Sequence, residues 1–190
     1  MEICDFFPIF VKNLNIMFSK LLNKKYNNLK VVKGNLFELA KNGDFDVIVQ
    51  GNNCFNTQGA GIAVMFNRLF NTLDFPMEKT GRGDKNKLGN IDFRKFSLSS
   101  NGNWFHDEEN GVLFVVNSYT QYDYKRTSNN DRPADYKAIS EVFQKLNTQF
   151  KGLRIGLPAI GAGLAGGDIN VITELMDENM LDCKVTLVLL

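Results

Sequence analysis

With 190 residues, 44% of them hydrophobic and 23% charged, the chain has the makeup of one ordinary globular domain with a sizeable core. Its formal net charge of +1 gives no electrostatic reason to expect nucleic acid or an anionic membrane as partner. Three cysteines without a CxxC pair, and the single histidine His106, leave a Cys/His zinc site short of ligands; so sparse and odd a set of thiols fits a reducing cytoplasm.

Residues 1–28 stand apart. Phe7, Phe10, Leu14, Met17, Phe18, Leu21 and Leu22 recur at helical spacing, and Lys20, Lys24 and Lys25 follow as cations that close a helix. The spacing predicts a helix over Ile9–Asn23, in an N-terminal helical extension (1–28) ahead of a domain over 29–190. Its plain reading is a helix packed on the domain, and the sharper one is docking to a membrane surface or a partner. Glu2, Asp5 and Lys12 spoil a signal-peptide pattern, and no stretch reaches the roughly 20 apolar residues that span a bilayer.

From Leu29 strands and helices alternate. Leu29–Lys33 reads as a strand before a Gly34-Asn35 turn, and Val47–Gln50 as a short covered strand. Ile62, Met65, Phe66, Leu69 and Phe70 make 60–70 an amphipathic helix. Residues 75–90 read as a connection in which the lysines from Lys79 to Lys87, with Arg82, are solvated. Ile91–Leu98 and Trp104–Phe105 form a hairpin around Asn101-Gly102, and Val112–Val116 is another buried strand. Residues 121–132 read as loop, 133–150 as a helix with Pro133 near its start, and Leu153–Leu157 as a strand. A helix over Ile169–Met180 and a strand over Lys184–Leu190 close the chain. This alternation predicts an α/β/α sandwich around a mixed, mostly parallel sheet.

Two glycine-rich turns carry most of the functional signal. One follows the strand at 47–50 and runs Gly51-Asn-Asn53-Cys54-Phe-Asn-Thr-Gln-Gly59-Ala60-Gly61-Ile62-Ala63. The other follows 153–157 and runs Pro158-Ala159-Ile-Gly161-Ala162-Gly163-Leu164-Ala165-Gly-Gly167-Asp168. Each enters a helix. Glycine lets backbone N–H groups close on an anion, and a helix N-terminus adds partial positive charge. Two such loops at strand carboxyl ends predict a cleft for a ligand with more than one phosphate.

These segments, with Gly34-Asn35-Leu36-Phe37 upstream, resemble a macro domain over residues 29–190. Asn53-Cys54 followed by Gly-x-Gly-Ile-Ala is similar to the phage, bacterial and fungal group related to ADP-ribose 1''-phosphate phosphatases. The resemblance implies a three-layer fold with an ADP-ribose crevice. It implies that Asn35 stands at the position that bonds the adenine amino group and that Asn53 faces the distal ribose, with Leu36 and Asn52 among the ligand contacts. Gly59, Ala60, Gly61, Ile62 and Ala63 would cradle the diphosphate, with Ala159, Gly161, Ala162, Gly163, Leu164 and Ala165 closing from the other side. Asn117, Tyr119, Thr120 and Gln121 would edge the cleft, with Tyr119 or Tyr122 covering a ribose or base. The chain departs from the pattern at Asn35, where the family usually has Asp, and at Gln50, where this group often has His. In the glycohydrolase branch the lysine nucleophile would fall near Ser118–Tyr119 and the second-loop aspartate on Ala165, which argues against a covalent lysyl mechanism.

The activity expected is removal of the terminal phosphate of ADP-ribose 1''-phosphate, with Asn53 holding the ribose and Asp168 directing water, and with no metal or cofactor demanded. The alternatives are a reader of ADP-ribose or of ADP-ribosylated macromolecules, or a hydrolase acting on them. Asp168 competes with a plain N-cap role, Cys54 with core packing, His106 with a solvated hairpin, and Asn117–Gln121 with an ordinary polar loop.

Overall fold

The computed structural model describes residues 19–75, 80–125 and 133–189. Among the described residues, seven strands form one sheet: β1 (Leu29–Lys33), β2 (Val47–Asn53), β3 (Ile91–Leu98), β4 (Trp104–His106), β5 (Leu113–Gln121), β6 (Arg154–Leu157) and β7 (Lys184–Leu189). Their order is β1-β7-β6-β2-β5-β3-β4. The first five in that order run parallel, and the β3–β4 hairpin adds antiparallel strands beyond β5. The helices that cover it include α1 (Leu36–Lys41), α2 (Ile62–Phe70), α3 (Tyr136–Gln149) and α4 (Ile169–Asn179).

Strand side chains alternate between faces, so each central strand feeds two cores. Val47 and Val49 of β2 and Val116 of β5 meet Ile139, Val142 and Phe143 of α3 and Ile172 and Met176 of α4. Ile48, Val115 and Val188 point the other way, to Leu36 and Ala40 of α1 and Phe66 and Phe70 of α2. That second core is aromatic. Phe37–Phe66 and Phe70–Phe96 meet edge to face with centroids 5.0 and 5.1 Å apart, in the preferred range for ring pairs. The result is the three-layer α/β/α sandwich expected from the alternation.

Several boundaries differ from the sequence reading. β2 runs on to Asn53 and β5 to Gln121, so Asn117–Gln121 is strand rather than loop. Polar residues continue the ladder there because β5 is buried between β2 and β3, and its side chains bond the flanking strands: Asn117 accepts from Gln50, Ser118 donates to Gln50 O and Tyr119 to Asp92. Helix α3 starts at Tyr136, where the Asp135 carboxylate accepts the Ala138 N–H, and α2 starts at Ile62. The six-residue α1, too short for a periodicity signal, follows the Gly34-Asn35 turn. Of the predicted N-terminal helix, residues 19–23 are helical and Leu21 is buried in the α3/α4 core. Residues 9–18 of that helix, and Lys79, lie outside the described residues.

Asp177 of α4 anchors the start of β1. Its carboxylate accepts N–H groups from Asn27, Asn28 and Leu29 at 3.0, 2.8 and 3.1 Å. Burial alone would raise its pKa, but those N–H bonds outweigh it and hold the carboxyl below its ordinary value.

Candidate functional site

Because β1, β7, β6, β2 and β5 are parallel, the connections leaving their carboxyl ends gather on one edge of the sheet. Loop 1 (54–61) leaves β2 and loop 2 (158–168) leaves the neighbouring β6. Gly51 brings them together. A Cβ there would lie 2.9 Å from Ile160 Cγ2 and 3.1 Å from Thr120 Oγ1, so loop 2 folds down onto β2 only because residue 51 has no side chain.

Loop 1 is shaped by its amide side chains. Asn53 Oδ1 accepts the N–H groups of Phe55 and Thr57, both at 3.1 Å, and its Nδ2 donates to Thr57 O at 3.0 Å. Asn56, in the left-handed region at φ 53, accepts from Asn52 Nδ2 and Gln58 Nε2 and donates to Leu73 O. The loop ends at Gly61 (φ 61), the N-cap of α2, which supplies no side-chain cap; the first turn of α2 holds no acid. The first N–H groups of α2 therefore have no partner within their helix and no competing carboxylate. The sites where Cβ atoms would stand at Gly59 and Gly163 are open.

Loop 2 is braced from within. Gly167 N–H bonds Gly161 O at 2.8 Å, and Gly166 N–H bonds Gly163 O at 3.0 Å. The loop's Leu164 is 71% exposed, and its Cδ1 stands 3.7 Å from where a Gly61 Cβ would be. The two glycine loops thus approach each other at Gly61 and Leu164.

The other expected site residues fall into three groups. Ala60 is exposed beside Gly59, while Ala63, Ala159, Gly161 and Ala162 are half-buried on the two loops. Asn35 is exposed, but its Oδ1 caps α1 by accepting the Phe37 and Glu38 N–H groups; Leu36 is buried beneath it. Asn52, Asn117, Thr120 and Ala165 are buried, and Gln121 ends β5 half-buried. Tyr119 does not cover the cleft: it is fully buried, and its hydroxyl donates to Asp92 Oδ2 at 2.6 Å. Asn53 is also turned inward. Both acceptor positions of its oxygen are used, leaving one N–H of its amide. Asp168 caps α4, with Oδ1 accepting from Asn170 N and Nδ2, and is otherwise exposed.

Beneath loop 1 lies a polar layer that the sequence did not reveal. Gln50 Nε2 donates to Asn117 Oδ1 at 2.7 Å, Asn117 Nδ2 to Thr72 O at 2.9 Å, and Thr72 Oγ1 to Gln58 Oε1 at 2.6 Å. Gln50, at the position where the resemblance calls for His, is sealed in this layer and its Oε1 has no partner. Lys87 corrects the solvated-lysine reading. It is only 3% exposed, with Nζ 3.4 Å from Cys54 O and 5.7 Å from the Tyr119 ring centre. Burial pushes the Cys54 thiol up to about 11, which suits a packing residue and not a nucleophile. Burial likewise pushes Asp92 up to about 7, against the lowering pull of Tyr119, Asn117, Lys87 and Arg94. An alternation of apolar residues in β3 and β5 hints at which side chains turn inward; nothing local marks Asp92 and Lys87 as neighbours.

No protein-family model matches the chain. The architecture itself is well represented among solved structures. The macrodomain of Thermus aquaticus DarG overlays 84% of this chain and 95% of its own length, with a TM-score of 0.57 and 17% identity. It has the macrodomain fold.

A Trypanosoma brucei macrodomain solved in complex with ADP-ribose overlays 85% of this chain and 62% of its own, at a TM-score of 0.56 and 12% identity. Thermosipho africanus DarTG, also in complex with ADP-ribose, overlays 88% of this chain at a TM-score of 0.62 and 17% identity; the match spans 44% of that longer protein. In sequence, an uncharacterised 17.5 kDa protein from the tk-vs intergenic region of Enterobacteria phage T4 is 27% identical over 168 residues, covering 84% of this chain and 95% of that protein. Among the described residues, no helix of this chain is long and apolar enough to cross a membrane.

Proposed function

We propose that the cleft between loops 1 and 2 binds ADP-ribose, with the diphosphate on the bare N-terminus of α2 and on the glycine backbone of loop 2. The observation that carries this is the uncapped, acid-free start of α2 facing loop 2 across the Gly61–Leu164 approach. Neighbours of the same fold solved with ADP-ribose support the choice of ligand. Calorimetry with ADP-ribose should give one site per chain, and AMP, which lacks the diphosphate, should bind far more weakly. Equal affinity for the two, or no heat with either, refutes the assignment.

The finer reading is hydrolysis of the terminal phosphate of ADP-ribose 1''-phosphate, with Asp168 directing water. Its support is a carboxylate at the end of loop 2 that remains exposed and, among the described residues, bonds only through Oδ1. Asn53 then acts by holding loop 1 in shape, its remaining N–H pointing to a ribose hydroxyl. Phosphate release from ADP-ribose 1''-phosphate tests this; binding without release makes the protein a reader of ADP-ribose or of ADP-ribosylated macromolecules.

A further inference from the structure

The segment from Thr80 to Asn90 crosses the carboxyl ends of β2 and β5 as a strap. Gly83 N–H bonds Cys54 O at 2.9 Å, and a Gly83 side chain would strike the Phe55 ring. Farther along, Gly89 N–H bonds Tyr119 O at 2.9 Å, Tyr119 N–H bonds Asn90 O, and Lys145 of α3 holds Gly89 O at 2.7 Å. Between these ties sits the 3-10 turn Lys85–Lys87, which delivers the Lys87 ammonium to the same Cys54 carbonyl. Cys54 is the first residue of loop 1.

A buried lysine is costly unless something compensates its charge. Among the described residues no carboxylate lies within ion-pair distance of Lys87. Its compensation is the Tyr119 ring and, across the Tyr119 hydroxyl, the Asp92 carboxylate. Asp92 Oδ1 is sealed from solvent without a partner. An orphaned buried carboxylate oxygen is a stability liability that this packing retains.

Resting on the ADP-ribose reading of the cleft, we propose that Lys87, Tyr119 and Asp92 form a charge-dependent prop that fixes the base of loop 1 through Cys54 O and so tunes ligand affinity. With Asp92 ionised, its field holds the ammonium in place and the strap stays drawn onto loop 1. With Asp92 protonated, that attraction is gone and loop 1 loosens. The charged and titratable groups facing Asp92 are Tyr119 from β5, Lys87 from the strap and Arg94 on β3 itself, with the Asn117 amide beside them. Since burial sets the Asp92 transition near neutrality, the prop switches in that range. Lys87, Tyr119 and Asp92 are positioning residues, because they act on the ligand only through loop 1.

The test pairs ADP-ribose calorimetry at about pH 6 and about pH 8 with hydrogen exchange of the loop 1 amides (54–61) in the free protein. Across that range the ADP-ribose diphosphate keeps its charge. Wild-type affinity should rise about fivefold or more with pH, the ordinary scale of coupling between sites, and loop 1 should become more protected. Asp92→Asn should abolish both changes and leave the weaker affinity. The same variant leaves the buried Lys87 ammonium without its carboxylate, so it should also melt lower than wild type at about pH 8. Loss of the pH dependence of affinity and of loop 1 protection, and not the lower melting temperature, is what a merely structural aspartate does not give. Lys87→Met should weaken binding at both pH values, and Lys87→Arg should restore part of it. Should Lys87→Met fail to fold, Tyr119→Phe, which removes the hydroxyl alone, serves instead. His106→Gln, on the exposed hairpin, should keep the wild-type profile and so exclude histidine titration. A wild-type pH profile in Asp92→Asn, or loop 1 exchange indifferent to Asp92 and Lys87, overturns the prop. Loop 1 exchange that follows Asp92 in a protein that never binds ADP-ribose leaves the prop standing and refutes the ligand.

Discussion

The N-termini of α2 and α4 sit on the same edge of the sheet, each at the end of a glycine-rich loop, and they are finished in opposite ways. Asp168 closes α4 with a side-chain oxygen on the Asn170 N–H. Helices α1 and α3 are closed likewise, by Asn35 and Asp135. Gly61 leaves α2 open. A capping carboxylate or amide stabilises a helix by about 1 kcal/mol, so omitting one at α2 forgoes that stability where its backbone N–H groups lie beside loop 2. Asp177 shows within the same molecule what such N–H groups do for an anion: three of them hold its carboxylate ionised below the ordinary range.

The strongest way to break the contrast is to bring a carboxylate to the open end. Gly61→Glu should reduce ADP-ribose affinity by at least about 100-fold by calorimetry, since a like charge and bulk fill the phosphate position. Part of its effect will be on folding, because residue 61 has a positive φ. Ala63→Glu separates the two. An acid in the first turn favours the helix, so melting temperature should hold while affinity drops.

Asp168→Asn sharpens the contrast from the other side. Asn caps as well as Asp but cannot accept a proton, so melting temperature and ADP-ribose affinity should stay put. If Asp168 directs water, phosphate release falls roughly 10²-fold; unchanged release makes it a cap alone.

A smaller effect follows from Asp177. Its folded pKa lies below its unfolded one, so its contribution is present above the ordinary carboxylate range and is lost as pH falls through the folded value. Asp177→Asn should cost about 1 kcal/mol near neutrality and flatten the acid side of the stability–pH curve, measured by urea denaturation. Smallest is Asp168→Ala, expected to lower the melting temperature by about 2–4 °C through loss of one cap.

Much of this was legible in the chain itself. Alternation of strand and helix, covered apolar runs such as Val47–Val49, and the Asn101-Gly102 turn specified the sandwich and the mixed sheet, because periodicity and turn chemistry are local properties. The glycine spacing announced the facing loops for the same reason: positive φ and open backbone are written one residue at a time. What local pattern could not carry was the neighbourhood of polar side chains. The run Asn117–Gln121 reads as loop because five consecutive non-aliphatic residues end the apolar pattern, yet β2 and β3 pair with it on both sides and bury it. Asn53 and Asn35 read as ligand amides, and only the folded loops show their oxygens occupied by backbone N–H groups. Lys87 and Asp92 meet through Tyr119, which lies 27 residues beyond Asp92. Composition and periodicity located the two glycine loops at the carboxyl ends of β2 and β6. The tertiary structure decided which polar groups face them and which support them from below, because burial and partnership are set by strands and loops distant in sequence.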